Sequence, residues 1–279
     1  MVIESISANG RGDSKELDGI WNKGILCRIQ GGIWSMEARL DPGDLNMRGE
    51  ELPDFVKLGS KKLLPDREKQ RFLNTLGRAR TVADRLGFPF FIGGSYFIPF
   101  ENFEQLKENI DKERAKFFGY VDEFIDRYET LREEYLESYS RHAGSLATHY
   151  PDVDYVRSKF KFETIYYAAN IGSVVGDQGS AEDMYLSWAV SSMNALRSEA
   201  RQVADAVTSA IENGTLDGRS MRPVQKLIDS VSSKDLLDDE NFRGATMALA
   251  GSPSKYTASQ LKKVANDVDE MYVRRVLID

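Results

Sequence analysis

Apolar residues recur at three- and four-residue spacing over three long stretches, the pattern of helices that bury one stripe. In residues 66–86 the stripe is Phe72, Leu76, Ala79, Val82 and Leu86, with Pro65 placed where a helix would start and Gly87 where it would stop. Residues 101–141 carry Phe103, Leu106, Ile110, then Phe117, Val121, Phe124, Tyr128, Leu131 and Tyr135 along one face. A single helix of that span would be about 60 Å long. Its phase slips between Ile110 and Phe117, so the seam is not a continuous heptad register, and packing of this helix in a helical hairpin is expected in preference to a free coiled-coil dimer. The third stripe runs through residues 181–213, from Tyr185 and Trp188 to Val207 and Ile211, after a capping-box pattern from Ser180 to Asp183. Its mixture of large and small residues suits close approach by another helix, and the 101–141 helix is its natural partner. Shorter helices are expected over 223–232, 239–250 and 258–276, the last opened by Thr257.

Period-two alternation takes over elsewhere. Ile25, Cys27 and Ile29 alternate with polar or long residues, and a second run begins at Ile33 and Trp34 after Gly31 and Gly32, so residues 24–40 read as a small hairpin or two short strands. Residues 88–99 form a dense apolar strand region broken by Gly93 and Gly94, and residues 160–171 read as an aromatic, β-branched strand. The glycine pairs read as turns or close backbone approaches in preference to ligand loops. The expected fold is mainly α with a small β-sheet (α+β), built on long packed antiparallel helices and elongated. Its expected organisation is a flexible N-terminus over 1–15, a small sheet with a basic helix and the long helix over 16–176, and a C-terminal helical region over 177–279 packing on the long helix.

Composition narrows the class without naming a function. With 279 residues and 41% hydrophobic side chains, the chain can fill a genuine core. A net charge of -7 excludes a strongly basic coat protein. Cys27 is the only cysteine, so neither an intramolecular disulfide nor a cysteine zinc cage can form within one chain. No run approaches the roughly 20 apolar residues that span a bilayer, and the first residues lack a signal-peptide core, so a cytoplasmic chain without membrane association is expected.

Catalytic patterns are sparse. His142 and His149, followed by Asp152 and Asp154, lack the spacing of a metal-binding helix pair. No Gly-x-Ser-x-Gly elbow or phosphate-wrapping loop is present, and the acids of the long helix fall opposite its apolar stripe, where a solvated face is the default. Neither a catalytic residue, a metal nor a cofactor is assigned, and the expectation is that the chain is not an enzyme.

Charge is more informative. Residues 55–85 hold nine basic residues against three acidic ones, whereas residues 101–139 hold twelve acidic against six basic. Neutralisation of the acidic helix by the basic one, in an internal or a subunit contact, is the favoured reading. The alternative is an exposed patch of Lys57, Lys61, Lys62, Arg67 and Arg71 that binds nucleic acid or an acidic partner, with Tyr96 and Phe97 nearby as interaction or stacking surfaces.

The segments Leu58-Gly59-Ser60-Lys61-Lys62, Leu86 through Gly94, and Tyr96-Phe97-Ile98-Pro99, leading into a long charged helix, resemble the bacterial and phage family catalogued as domain of unknown function 3150. Ile33 and Trp34 fit its opening, and the likeness covers roughly residues 20–140. Members of that family occur on phages and mobile elements, often near genes for a MoxR-type AAA+ ATPase and a von Willebrand factor A protein. The resemblance implies no catalytic residue. Together these readings lead to an expected non-enzymatic scaffold or adaptor of a phage or mobile element, assembling with itself or with the AAA+ ATPase. The alternatives are a nucleic-acid-binding accessory protein using the basic segment 57–85, and an unrecognised enzyme.

Overall fold

The computed structural model describes residues 23–41, 59–168 and 178–277, the backbone alone for 178–182 and 274–277. The expected flexible segment 1–15 and Lys57 lie outside these residues. Helices dominate and two small sheets accompany them, a mainly α, α+β fold. The chain divides into two compact units, one of residues 1–26, 86–103 and 166–279, the other of residues 27–85 and 104–165.

The unit of residues 27–85 and 104–165 is organised by helix α1 (Arg67–Leu86) and helix α2 (Phe100–Asp126), which begins in the other unit. Phe72 of α1 meets Phe117, Phe124 and Phe160 at centroid distances of 5.7, 5.9 and 4.7 Å. Such tilted and edge-on pairs suit the aromatic quadrupole and bury much apolar area. The apparent phase slip of α2 disappears here. Glu113 occupies the missing stripe position, buried between Ile110 and Phe117, and accepts from Arg78 Nε at 2.8 Å and Lys116 Nζ at 2.6 Å.

The single helix expected over 101–141 is two helices. After α2 the backbone leaves helical geometry at Arg127 (φ -100°, ψ 0°), and α3 (Tyr128–Ser138) follows. The buried stripe nevertheless continues through Phe124, Tyr128 and Leu131. Short helices α4 (Ala143–Ala147) and α5 (Val153–Ser158) complete the helical part, α5 being capped by Asp152, which accepts from the Tyr155 amide.

The hairpin expected within 24–40 also needs correction. Strand β1 (Gly24–Gly32) lies in a four-stranded sheet of order β4-β5-β1-β6, with β4 (Phe88–Pro89), β5 (Ser95–Pro99) and β6 (Lys161–Tyr167). Strand β2 (Glu37–Arg39) pairs instead with β3 (Ser60–Lys62), antiparallel, with Glu37 opposite Lys62. Met36, at φ 56°, takes the left-handed turn that redirects the chain. Gly31 serves close packing, since a Cβ there would stand 2.4 Å from Leu76 Cδ1.

In the unit of residues 1–26, 86–103 and 166–279, the spine is α6 (Gln178–Glu212), which begins before Ser180, so the expected cap lies inside the helix. Tyr185, Leu186, Trp188, Ala189 and Met193 pack with Leu26, Phe88, Phe90 and Phe97. Farther along, Leu196, Ala200, Val203, Ala204 and Val207 pack with α7 (Arg222–Lys234), α8 (Glu240–Gly251) and α9 (Lys255–Val264).

The helix expected over 258–276 begins earlier and breaks. Ser254 caps α9 and Thr257 closes the capping box. Beyond Val264, Arg201 donates to the Ala265 carbonyl at 2.6 Å, while the Asn194 amide donates to the Val268 carbonyl and accepts from its N–H at 3.0 and 2.8 Å. These side chains supply the hydrogen bonds that further helix would have made, and α10 (Glu270–Leu277) starts afresh. No helix among the described residues is long and apolar enough to cross a membrane.

Candidate functional site

Most of the basic segment is engaged with acids of its own chain. Lys62 bonds Asp66, and Lys69 donates to Glu37 at 2.8 Å. Arg71 lies 2.8 Å from Glu123 and 3.6 Å from Glu68, with its guanidinium over the Phe72 and Tyr120 rings. Arg78 reaches the buried Glu113. Arg67 remains 77% exposed beside Glu68. Charge pairing between α1 and α2 thus uses Arg71 and Arg78 within one unit, an arrangement that opposite net charges on the two segments favour.

Lys61 is placed differently. Its side chain is 9% exposed, with Nζ 2.7 Å from His149 Nε2 and 3.8 Å from Asp41. An ammonium group only donates, so this contact makes Nε2 the acceptor and leaves the imidazole proton on Nδ1. The spacing of His142 and His149 carried no hint of this partner, which lies 88 residues away in sequence.

Beside this pair is a cleft of about 530 Å³ lined by Ile33, Trp34, Ser35, Glu37, Leu63, His149, Pro151, Tyr155 and Lys159. Its walls are anchored through backbone carbonyls. Tyr128 donates to Pro151 at 2.7 Å, Tyr150 donates to Leu63, and the Leu63 amide donates to Met36 at 2.9 Å. Hydrogen bonds from Lys69 and Ser60 hold the Glu37 carboxyl below the usual glutamate range. None of these groups formed a motif in the sequence, because five separate segments supply them.

The second surface belongs to the other unit. β4 and β5 form an antiparallel hairpin, Phe88 opposite Phe97, closed by Gly94 at φ 75°. Its tip sets Phe91 and Ile92 outward, 37% and 45% exposed, and Met184 of α6 is 50% exposed. A groove of about 540 Å³ runs between Phe91 and Met184, lined by Pro89, Phe90, Phe91, Met184 and Trp188 with Asp183, Ser187 and Ser191. Trp188 Nε1 donates to the Pro89 carbonyl at 2.7 Å and its ring meets Phe90 edge-on at 5.0 Å, so the groove is held open by packing already present.

Tyr96 is half-buried, whereas Phe97 is fully buried with its ring 5.4 Å from Trp188. Phe97 is therefore a core residue and offers no stacking face. The residues that point outward from this hairpin are Phe91 and Ile92, five residues upstream, which period-two reasoning could have placed at the turn. Cys27 is fully buried, and burial pushes its thiol up to about 12. Among the described residues no group of three or more histidine, cysteine or carboxylate side chains is placed to hold a metal.

The family model described as a protein of unknown function (DUF3150) matches residues 22–247, from the start of β1 into α8. Nothing among the curated proteins or the solved structures matches the chain.

Proposed function

We propose that the chain, which belongs to the DUF3150 family, is a non-enzymatic scaffold or adaptor that receives an apolar segment of a protein partner in the groove between the β4–β5 hairpin and α6. The observation that carries this reading is the exposure of Phe91 and Met184 along an apolar groove, with Ile92 exposed at the same hairpin tip. Soluble surfaces rarely keep large apolar side chains together unless something covers them. Aromatic side chains around such a groove provide area with little ordering cost on binding, and a flexible methionine adapts to the partner's shape. The partner we place first is a MoxR-type AAA+ ATPase of the same phage or mobile element, working with a von Willebrand factor A protein, with self-assembly as the other route to the same contact.

The nucleic-acid reading has weaker support, because Lys62, Lys69, Arg71 and Arg78 already face carboxylates. A phosphate ligand would have to displace those pairs.

Mass photometry of the purified chain, alone and mixed with a MoxR-type AAA+ ATPase, tests the proposal. Expected is a complex or an oligomer that Phe91→Asp and Met184→Asp abolish. A monomer under both conditions, or an assembly indifferent to both substitutions, would overturn it.

A further inference from the structure

We propose that the cleft between the β1–β2 loop and the end of α5 binds a small dipolar molecule with an aromatic body, of the chemical class of an aromatic α-amino acid. The cleft lies within the unit of residues 27–85 and 104–165, and the inference is independent of the groove beside the hairpin. Its volume of about 530 Å³ falls inside the range of small-molecule sites, roughly 300–1,000 Å³.

The wall carries both signs of charge. Glu37 is a carboxylate whose orientation is set by Ser60 Oγ at 2.7 Å and Lys69 Nζ at 2.8 Å, leaving acceptor capacity for a ligand ammonium. Lys159 supplies an ammonium group 4.3 Å from the centre of the Tyr155 ring. His149, held by Lys61 through Nε2 at 2.7 Å, also lines the cleft. A purely anionic ligand would meet Glu37, and a purely cationic one would meet Lys159. A molecule bearing a carboxylate and an ammonium group satisfies both. Ile33 and Tyr155 provide the apolar and aromatic flank that its body would cover.

The backbone supports a site here. Met36 holds a left-handed conformation uncommon for a residue with a side chain, and it does so in the loop that forms one wall. Met36 itself is fully buried, and its neighbours Ser35 and Glu37 line the cleft. The Leu63 amide on the Met36 carbonyl keeps the arrangement.

Calorimetric or NMR titration of the full chain with L-phenylalanine, 3-phenylpropionate and phenethylamine tests the idea, since the three probes share one body and differ in charge. Expected is saturable binding of phenylalanine, with each singly charged analogue about ten-fold weaker, the size of one charge-assisted hydrogen bond. Lys159→Met is expected to weaken phenylalanine by a similar factor and to strengthen phenethylamine, by removing the ammonium that repels it. Glu37→Gln is expected to weaken phenylalanine and to strengthen 3-phenylpropionate for the same reason. Lys159 is solvent-exposed, so its variant remains readable if the Glu37 variant fails to fold. Absence of saturable phenylalanine binding, equal binding of all three probes, or indifference of phenylalanine to Lys159→Met would overturn the proposal.

Discussion

The indole N–H of Trp188 donates to the carbonyl of Pro89 at 2.7 Å, joining α6 to the β4–β5 hairpin across 99 residues of sequence. The same ring packs edge-on against Phe88, at 6.3 Å, and Phe90, at 5.0 Å. One side chain thus supports the groove floor by both a polar and an apolar contact.

Trp188→Phe keeps an aromatic ring but removes the donor to the Pro89 carbonyl. The expected loss is about 0.5–1.5 kcal/mol, that of one ordinary hydrogen bond, because Pro89 is exposed and water can reach its carbonyl. Urea denaturation measures it, and proteolysis at the Phe91–Gly94 tip should accelerate in parallel.

Glu113 should make stability depend on pH in a definite direction. Burial opposes its ionisation, but the hydrogen bonds from Lys116 and Arg78 outweigh that and hold its carboxyl below the ordinary value of 4.5. A lowered folded value means that the stabilisation is present above the unfolded value and is lost as pH falls through the folded one. Denaturation of the native chain and of Glu113→Gln should therefore differ by about 1–3 kcal/mol at neutral pH, with the difference shrinking in acid below the ordinary glutamate range.

Arg197 is almost fully buried, with Nη2 3.0 Å from Asp239 and its guanidinium 5.0 Å from the Phe242 ring. Asp239 also caps α8 by accepting from the Asn241 and Phe242 amides. Arg197→Met strands the partner carboxylate, at an expected cost of about 3 kcal/mol. Adding Asp239→Ser removes that charge while keeping a capping oxygen, so the double variant should recover most of the loss. Additive losses in a double-mutant cycle would refute the coupling.

Cys27 should be inert to alkylation in the native state. Its thiol is buried and shifted up to about 12, so little thiolate exists near neutral pH. Iodoacetamide labelling is expected to be negligible until denaturant exposes β1, and then to follow the unfolding curve. Rapid labelling without denaturant would contradict the burial.

Three helical stripes, the turn at Gly94 and the general α+β character were legible because they depend on near neighbours. The spacing of Phe72, Leu76 and Ala79 fixes a helix face whatever lies opposite, and a glycine tolerates the left-handed backbone wherever the turn falls. The fold decided what required a distant partner. Glu113 belongs to the buried stripe of α2 because Arg78 meets it, although an acid alone reads as solvent-facing. The helix ends at Ala265 because Asn194 and Arg201 satisfy the backbone that follows. β2 finds β3 instead of β1, and Lys61 finds His149, through backbone paths that no local spacing encodes. Local periodicity is written into adjacent side chains, whereas hydrogen-bond and charge partners become neighbours only once the chain has closed its long loops.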